Sequence, residues 1–430
     1  MRNRWLQDYS LRNIGNKEKW FLWISFFYII YNVFPLFADV FHIPVAIPAI
    51  MVAVGLIILY PRESISSKAV KWFFVYIIIL EIYGVLDSVV IINGLGMKEV
   101  YWRRIIIEAA WILPSLMIVS VLHSLDNDKL YAIIAYGAFI FILVSFLIIL
   151  PLMKTSVGYL RDEIHNMEES KPLGLPDYAL MHAYTSILVL VCVNVRRGSV
   201  IQRCFFVAAG ALVGFVIIRT SVTTSLVVML LIILLSIIYN SKNVGLTLVS
   251  IPLLGVIILL LYNDGYFTQW IESLMPYFEG TSVYSKLDDI HQSLIQGTIT
   301  GGTLKGRMNY HQMSVESFYE HPLFGCDSVE GIGGHSKILD ILGGMGLTVF
   351  IPFILIILSS LNEALRKVKE PELKYFVLLS YLVAFVYLYQ KGIFGGPGWL
   401  FMTVLIPCGI IALRRKDKDD IYYTNTRWRS

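Results

Sequence analysis

The chain has 430 residues, of which 57% are hydrophobic and 15% are charged, and its formal net charge is +4. Charged residues usually make up about 25% of a globular domain, so this composition argues against a water-soluble protein. The sequence contains no interleaved basic and aromatic residues and no nucleic-acid-binding motif, and we therefore expect no nucleic-acid partner.

Apolar runs recur along most of the chain, and each is long enough to cross a hydrocarbon core about 30 Å thick. They predict an all-α integral membrane protein, because a chain in lipid must satisfy its backbone groups within each helix. Twelve transmembrane helices are predicted, at about residues 20–38, 42–60, 70–92, 105–122, 130–153, 178–195, 204–219, 222–239, 245–263, 346–361, 374–391 and 397–413. The chain then has three parts: spans one to nine within 1–263, a large loop at 264–345, and the last three spans with a tail at 346–430.

Lysine and arginine in the short loops predict the orientation, because such residues are retained in the cytoplasm. With twelve spans, every markedly basic loop falls on one side, together with both termini. Both termini are therefore predicted to be cytoplasmic, and the loop at 264–345 extracytoplasmic. The stretch "MKEVYWRR" departs from the rule, since it places Lys98, Arg103 and Arg104 on the outer side. Either anion binding at the outer leaflet or snorkelling to lipid phosphates explains these cations.

The large loop is rich in aromatic residues, which suit an interfacial belt or stacking on sugar rings. Its segment 306–325 reads as one amphipathic helix, in which Arg307, His311 and Ser314 share a face. Pro322 makes His321 the expected last helical residue. No HExxH motif or carboxylate at ligand spacing is present, so we expect no metal site.

A second helix is predicted to begin at His335 and Ser336, after the glycine-rich hinge "EGIGG" (330–334). Serine is a favoured N-cap. Asp340, four residues after Ser336, either orients the start of this helix or is solvated. Within the predicted spans, acidic residues including Glu108 are expected to pair with a partner or to face a substrate cavity.

The order of these features resembles the O-antigen polymerase and ligase family of bacterial surface polysaccharides. The family pattern is an arginine, a His-Pro-x-x-Gly segment, a histidine followed by Asn, Ser or Gln, nine further residues and a GxxG. Here Arg307, "HPLFG" (321–325), "HS" (335–336) and Gly346 follow that order, although Val349 replaces the second glycine. The family often has a Ser-Arg step near spans seven and eight, whereas here Arg219 precedes Thr220 and Ser221.

The resemblance implies a GT-C-like fold in the bacterial cytoplasmic (inner) membrane and metal-independent glycosyl transfer without a cofactor. The donor and acceptor would be oligosaccharides linked to undecaprenyl diphosphate in the membrane lipid, and a chain-length regulator is an implied partner. His335 would be the general base. Arg307 and Arg219 would bind the diphosphate, with Arg103 and Arg104 as further candidates, although Arg219 could instead cap a short helix. Supporting roles are expected for Ser336, Asp340, His311 and His321.

The function predicted from this resemblance is a polymerase that joins repeat units of O-antigen, capsule or exopolysaccharide by inverting glycosyl transfer. The serine and the following aspartate in "HSKILD" (335–340) favour this assignment. The nearest alternative is an O-antigen ligase, which would transfer the glycan to lipid A core. A flippase or transporter of lipid-linked oligosaccharide is the alternative that is not an enzyme.

Overall fold

The computed structural model describes residues 14–90, 97–151, 174–220, 222–239, 266–279, 282–296, 302–326, 336–390 and 395–414. Every regular element within these ranges is a helix, in agreement with the predicted all-α class. The ninth predicted span, at 245–263, lies outside the described residues.

The helices of the first half of the chain are α1 (Asn16–Val33), α2 (Pro35–Phe41), α3 (Ala46–Leu59), α4 (Lys68–Val90), α5 (Met97–Leu125), α6 (Asp128–Ile149), α7 (Tyr178–Ser186), α8 (Leu188–Arg197), α9 (Val200–Thr220) and α10 (Thr223–Ile238). A 3₁₀ turn at Glu63–Ile65 precedes α4. Helices α7 and α8 follow each other directly and form one apolar rod from Tyr178 to Arg197.

The second half contains α11 (Tyr266–Leu274), α12 (Ser282–Gln296), α13 (Gly302–Glu320), α14 (Lys337–Arg366), α15 (Pro371–Gln390), α16 (Gly395–Leu400) and α17 (Ile406–Ile411). A 3₁₀ turn at Met275–Phe278 follows α11, and a π-helical turn at Phe401–Leu405 joins α16 to α17.

Six helices of the described chain are long and apolar enough to cross a membrane. They are Ile105–Leu125, Asp128–Ile149, Tyr178–Arg197, Val200–Thr220, Lys337–Arg366 and Pro371–Gln390. A seventh results if α1 and α2 form one broken span, and three shorter apolar helices lie at Ala46–Leu59, Thr224–Ile238 and Gly395–Ile411. The described part of the chain therefore has the helices of a multi-pass membrane protein.

Two span boundaries differ from the prediction. The first predicted span, 20–38, breaks before Pro35, and α2 turns by 93° from α1. Proline disfavours the helical conformation for the residue before it, and Phe34 is not helical. The tenth was expected to begin at 346, after a separate helix that begins at His335 and Ser336, whereas α14 continues from Lys337 to Arg366 across a kink at Gly346.

Helices α4 and α14 pack side by side and run antiparallel. The backbone N–H of Lys68 donates to Glu363 Oε1 over 2.7 Å at one end of the pair. At the other end, the hydroxyl of Tyr83 donates to the carbonyl oxygen of Met345 over 3.1 Å. These contacts define the two ends of the helical body: the basic end, at Lys68 and Glu363, and the motif end, at Tyr83 and Met345.

The basic end is connected by ion pairs between loops. Arg196 lies 3.2 Å from Glu372, and Arg197 pairs with Glu370 and Glu372. Nearby, Asp126 pairs with Lys367 at 3.2 Å and with Arg414 at 2.9 Å. The lysine and arginine residues of these loops predicted that the loops lie on the same side of the membrane.

Asp126 shows how these ion pairs act on the charge of a carboxyl group. Partial burial would raise its pKa, but the Arg414 guanidinium and the Lys367 ammonium together hold it below its ordinary value. The Asp126 carboxylate is therefore stabilised in its charged form at neutral pH.

Candidate functional site

The candidate site lies at the motif end, where α13 packs against the first turns of α14. Ser336 caps α14: its backbone is extended, and its hydroxyl accepts a hydrogen bond from the N–H of Leu339 over 3.2 Å. This confirms the predicted N-cap. An N-cap satisfies a backbone N–H that has no partner within the helix, so Ser336 stabilises the first turn of α14.

Asp340 holds together the two helices at this point. Its Oδ2 accepts the backbone N–H of Ser336 over 3.2 Å, and its Oδ1 accepts the hydroxyl of Ser314, on α13, over 3.1 Å. Ser336 is fully buried, and so is Ser314. Asp340 is therefore not a solvated surface residue, and it orients the start of α14, one of the two roles that the sequence left open.

His311 lies one turn before Ser314 on the same face of α13, as the helical spacing predicted. Its imidazole is close enough to interact electrostatically with the Asp340 carboxylate. Its ring centroid is 5.5 Å from that of Tyr389 on α15, and its Nε2 is buried without a hydrogen bond among the described residues.

Three glycines bring the backbones of α13, α14 and the turn between them into direct contact. A Cβ on Gly343 would lie 2.4 Å from the carbonyl oxygen of Ser314. At Gly346, φ is +63°, and a Cβ would lie 2.4 Å from the backbone of Leu323. Gly325 has φ +72° and faces the backbone of Gly344 at 2.3 Å. Only glycine fits such approaches, particularly at positive φ.

The segment "HPLFG" (321–325) docks on the kink in α14 through backbone hydrogen bonds. The N–H of Leu347 donates to the carbonyl oxygen of Pro322 over 2.9 Å, and the N–H of Thr348 to that of Leu323 over 3.1 Å. The Tyr83 hydroxyl reaches both Phe324 and Met345 carbonyl oxygens, at 3.3 and 3.1 Å. Non-helical Gly346 interrupts the helical ladder, and the segment takes up the N–H groups that this interruption releases.

An ion pair anchors the first residue of α14 in the helical body. Lys337 pairs with Glu108 on α5, and their side chains are 13% and 3% exposed. Glu108 therefore has the partner that an acidic residue in an apolar span requires. Sequence reasoning considered the pairing of Glu108 but did not identify Lys337, because the contact joins residues 229 positions apart.

A second polar cluster occupies the motif end on the side of α7, α10 and α15. His182 Nδ1 lies 2.9 Å from the Ser225 hydroxyl, and its ring centroid is 4.7 Å from that of Tyr387. Helix α9 packs against α7 and α10 and carries Arg219 in its last turn. Arg219 therefore lies at the motif end, on a helix that packs against two of the helices that carry this second cluster.

The structure therefore brings some of the predicted site residues together and not others. Ser336, Asp340 and His311 come together, whereas His321 is exposed just after the end of α13, one residue beyond the observed helix. His335 lies outside the described residues. The backbones of Arg307 (α13), Arg103 and Arg104 (both α5) are helical, and their side chains lie outside the description.

Some contributors to the site were not predicted from the sequence. Tyr83, Lys337 and Tyr389 were missed, and of these only Lys337 gave a signal, as a cation directly before an apolar helix. Among the described residues, no group of three or more His, Cys, Asp or Glu side chains could hold a metal ion.

The chain was compared in sequence with known protein families and with curated proteins. No known protein family matches the chain in a search against family sequence models, and a search of curated proteins gives no significant match.

Proposed function

We propose that this protein is a polymerase of bacterial surface polysaccharide. It joins undecaprenyl-diphosphate-linked repeat units at the outer face of the inner membrane, by inverting glycosyl transfer. The proposal includes twelve transmembrane helices in a GT-C-like arrangement with both termini in the cytoplasm.

The observation that supports this proposal is that the motif elements form one packed unit. Helix α13, which carries Arg307, contacts α14 through Ser314 and Gly343. "HPLFG" (321–325) docks on the kink at Gly346, and Ser336 caps the helix that starts next to His335. The described segments that carry parts of the motif, α13, residues 321–325 and the start of α14, thus pack against one another.

The two ends of the helical body support the sidedness of the reaction. Arginine and lysine concentrate in the loops of the basic end, and such loops are retained in the cytoplasm. The motif end then faces outward. No nucleotide-activated sugar is supplied there, so the activation must be part of the substrate, as it is in a lipid diphosphate.

In the proposed reaction, His335 accepts the proton of the acceptor hydroxyl as that oxygen attacks the anomeric carbon of the donor sugar. A neutral imidazole can accept a proton near neutral pH. The bond from the anomeric carbon to the diphosphate oxygen breaks in the same step, and the displacement inverts the anomeric centre. The product is a lengthened chain on one lipid and a free undecaprenyl diphosphate.

Arginine side chains stabilise the charge that develops on the leaving diphosphate. Arg307 and Arg219 are assigned to this role, with Arg103 and Arg104 as further contributors. Guanidinium groups are permanently charged and bind phosphate oxygens in a bidentate manner, so the proposed reaction uses neither a metal nor a cofactor. Asp340 and His311 are positioning residues, because they connect α13 to the start of α14.

The test is chain growth by the purified full-length protein in proteoliposomes, with the lipid-linked repeat unit isolated from the native cells. We expect a ladder of polymer lengths without added lipid A core. His335→Ala and Arg307→Ala should each reduce the product at least 100-fold, because proton transfer and charge stabilisation each contribute about 10²–10³-fold or more.

The matched control is His291→Ala, which removes a histidine of the same loop that lies on α12, outside the motif. It should retain polymer synthesis. Product that forms only when lipid A core is added would replace the polymerase with a ligase. Lipid transport without a new glycosidic bond, unaffected by His335→Ala, would replace it with a flippase. Normal polymer from both His335→Ala and Arg307→Ala would overturn the assignment.

A further inference from the structure

A polar pocket of about 240 Å³ lies at the basic end, remote from the motif residues. It is bounded by the start of α4, the last turns of α5 and the end of α14. Its lining consists of Ser66, Ser67, Ser120, His123, Ser124, Glu363, Arg366 and Lys367. Pockets for drug-sized ligands usually measure about 300–1,000 Å³, so this one suits a smaller group.

Cations outnumber anions in this lining. Arg366 and Lys367 face a single carboxylate, that of Glu363. The two oxygens of Glu363 already accept the hydroxyl of Ser67 at 2.8 Å and the N–H of Lys68 at 2.7 Å. Its charge is thus directed to the start of α4, and the remaining lining favours an anion.

The C-terminal ends of α5 and α14 also reach the pocket, and the partial negative charge of a helix C-terminus opposes an anion. Lys367 compensates for one of them directly, because its Nζ donates to the carbonyl oxygen of His123 over 2.6 Å. Lys367 also pairs with Asp126. Arg366 is exposed and makes no ion pair with a described residue, so its guanidinium is the cation that a ligand can engage.

Hydrogen-bonding groups complete the lining. The hydroxyls of Ser66 and Ser124 are 3.4 Å apart, at the long limit of a hydrogen bond, and both residues are exposed. The side chain of His123 is 10% exposed, and neither ring nitrogen makes a hydrogen bond with a described residue. Buried polar atoms normally have a partner, so an imidazole in this state points to a group that occupies the pocket.

The hydroxyl of Ser66 already donates to the carbonyl oxygen of Glu63 over 3.0 Å. We propose that this pocket binds a phosphate group, with Arg366 as the principal cation and the hydroxyl of Ser124 as a donor. Arginine and serine together match the several acceptor oxygens of a phosphate. The phosphate could belong to the headgroup of an anionic phospholipid or to a free phosphate ion. The proposal does not depend on the function of the motif end.

The experiment measures the thermal unfolding of the full-length protein in a neutral detergent, as a function of ligand concentration. The probes are dihexanoyl phosphatidylglycerol, dihexanoyl phosphatidylcholine and sodium phosphate, each at constant ionic strength. A ligand that binds only the folded state raises the unfolding midpoint in a concentration-dependent manner. We expect stabilisation by phosphatidylglycerol or by phosphate, and a clearly smaller effect of the zwitterionic lipid.

Arg366→Gln should weaken the response about 10-fold in concentration, as expected for the loss of a charge-assisted hydrogen bond. Arg62→Gln is the matched control, because Arg62 is exposed near the same end but does not line the pocket. His123→Phe keeps a ring of similar shape and removes both nitrogens. If His123→Phe does not fold, Arg366→Gln still decides the test, because it changes an exposed side chain.

Stabilisation by phosphatidylglycerol alone supports the lipid source, and equal stabilisation by inorganic phosphate supports the free ion. The proposal is overturned if no phosphate-bearing probe stabilises the wild-type protein. It is also overturned if Arg366→Gln and Arg62→Gln respond like the wild type, or if phosphatidylcholine stabilises as strongly as phosphatidylglycerol.

Discussion

The motif end and the basic end of this helical body are held together by different kinds of contact. At the motif end, backbones touch through Gly325, Gly343 and Gly346, and buried serine hydroxyls bond to Asp340 or to backbone. At the basic end, flexible charged side chains such as Arg196 and Arg414 reach across loops to carboxylates. We infer that the contacts at the motif end fix one backbone geometry, whereas those at the basic end tolerate small changes in how the loops are placed.

The two histidines considered at these ends share one feature, because each lies near a carboxylate and has a buried ring nitrogen without a hydrogen bond to a described residue. His311 lies beside a carboxylate, that of Asp340, which is hydrogen-bonded by its own neighbours. His123 lies 4.0 Å from the Glu363 carboxylate, but its nitrogens have no hydrogen bond with a described residue.

The largest effect is expected from Gly346→Ala, which would break the close contact at the motif end. Alanine is strained at φ +63° and ψ −167°, and its Cβ would meet the Leu323 backbone at 2.4 Å. Strain and overpacking each cost about 1–3 kcal/mol, so we expect a loss on the order of 4 kcal/mol in the free energy of unfolding. Unfolding in detergent, followed by circular dichroism, measures this loss.

Gly306→Ala is the matched control, because a Cβ at Gly306 meets nothing within 4 Å. Alanine is favoured over glycine inside a helix by about 0.8–1 kcal/mol, so stability should stay constant or rise. Equal losses in the two variants would show that the contact at Gly346 has no special importance.

The second prediction concerns the ion pair of the motif end. Glu108→Gln removes the counter-charge that Lys337 has on α5. Breaking a buried ion pair costs about 3–5 kcal/mol, and we expect a loss of about 3 kcal/mol because Lys337 is only partly buried. The double variant Glu108→Leu with Lys337→Met should recover much of this loss, since two apolar side chains need no counter-charge. The same unfolding measurement applies. A double variant as unstable as Glu108→Gln would contradict the explanation.

The third prediction concerns a single hydroxyl. Tyr83→Phe removes the donor to the carbonyl oxygens of Phe324 and Met345 and should cost about 1 kcal/mol, with little change in side-chain packing. Tyr319→Phe is the control, because Tyr319 is 78% exposed. Its stability should match that of the wild type. If the two variants cannot be distinguished, Tyr83 does not fasten the turn to α14.

The smallest effect is expected at the basic end. Asp126→Asn should lower stability by less than about 1 kcal/mol at neutral pH, because Asp126 is a half-exposed partner in its ion pairs. The pKa of Asp126 is lowered in the folded state, so its contribution is present above the unfolded pKa of about 3.9 and is lost as the pH falls further. Melting curves at pH 7 and pH 3 measure this, and a difference between variant and wild type that is as large at pH 3 as at pH 7 would contradict the assignment.

The sequence predicted the elements of this fold better than their contacts. Apolar runs located the membrane helices, and the residue types around Ser336 predicted its capping role. The kink at Gly346 and the contact at Gly343 were not predicted, because a glycine in a sequence does not show which backbone approaches it. The pairing of Lys337 with Glu108 was missed for a similar reason, since hydropathy carries no information on contacts between distant segments.

The kink in α14 also separates two tasks within one helix. Residues 347–366 extend roughly 30 Å at 1.5 Å per residue, about the thickness of the hydrocarbon core, so they alone suffice to anchor the helix in the bilayer. The turns from Lys337 to Met345 are then not needed to make the helix long enough to cross the membrane. Substitutions could therefore reshape that section while the membrane anchor that begins at residue 347 stays the same.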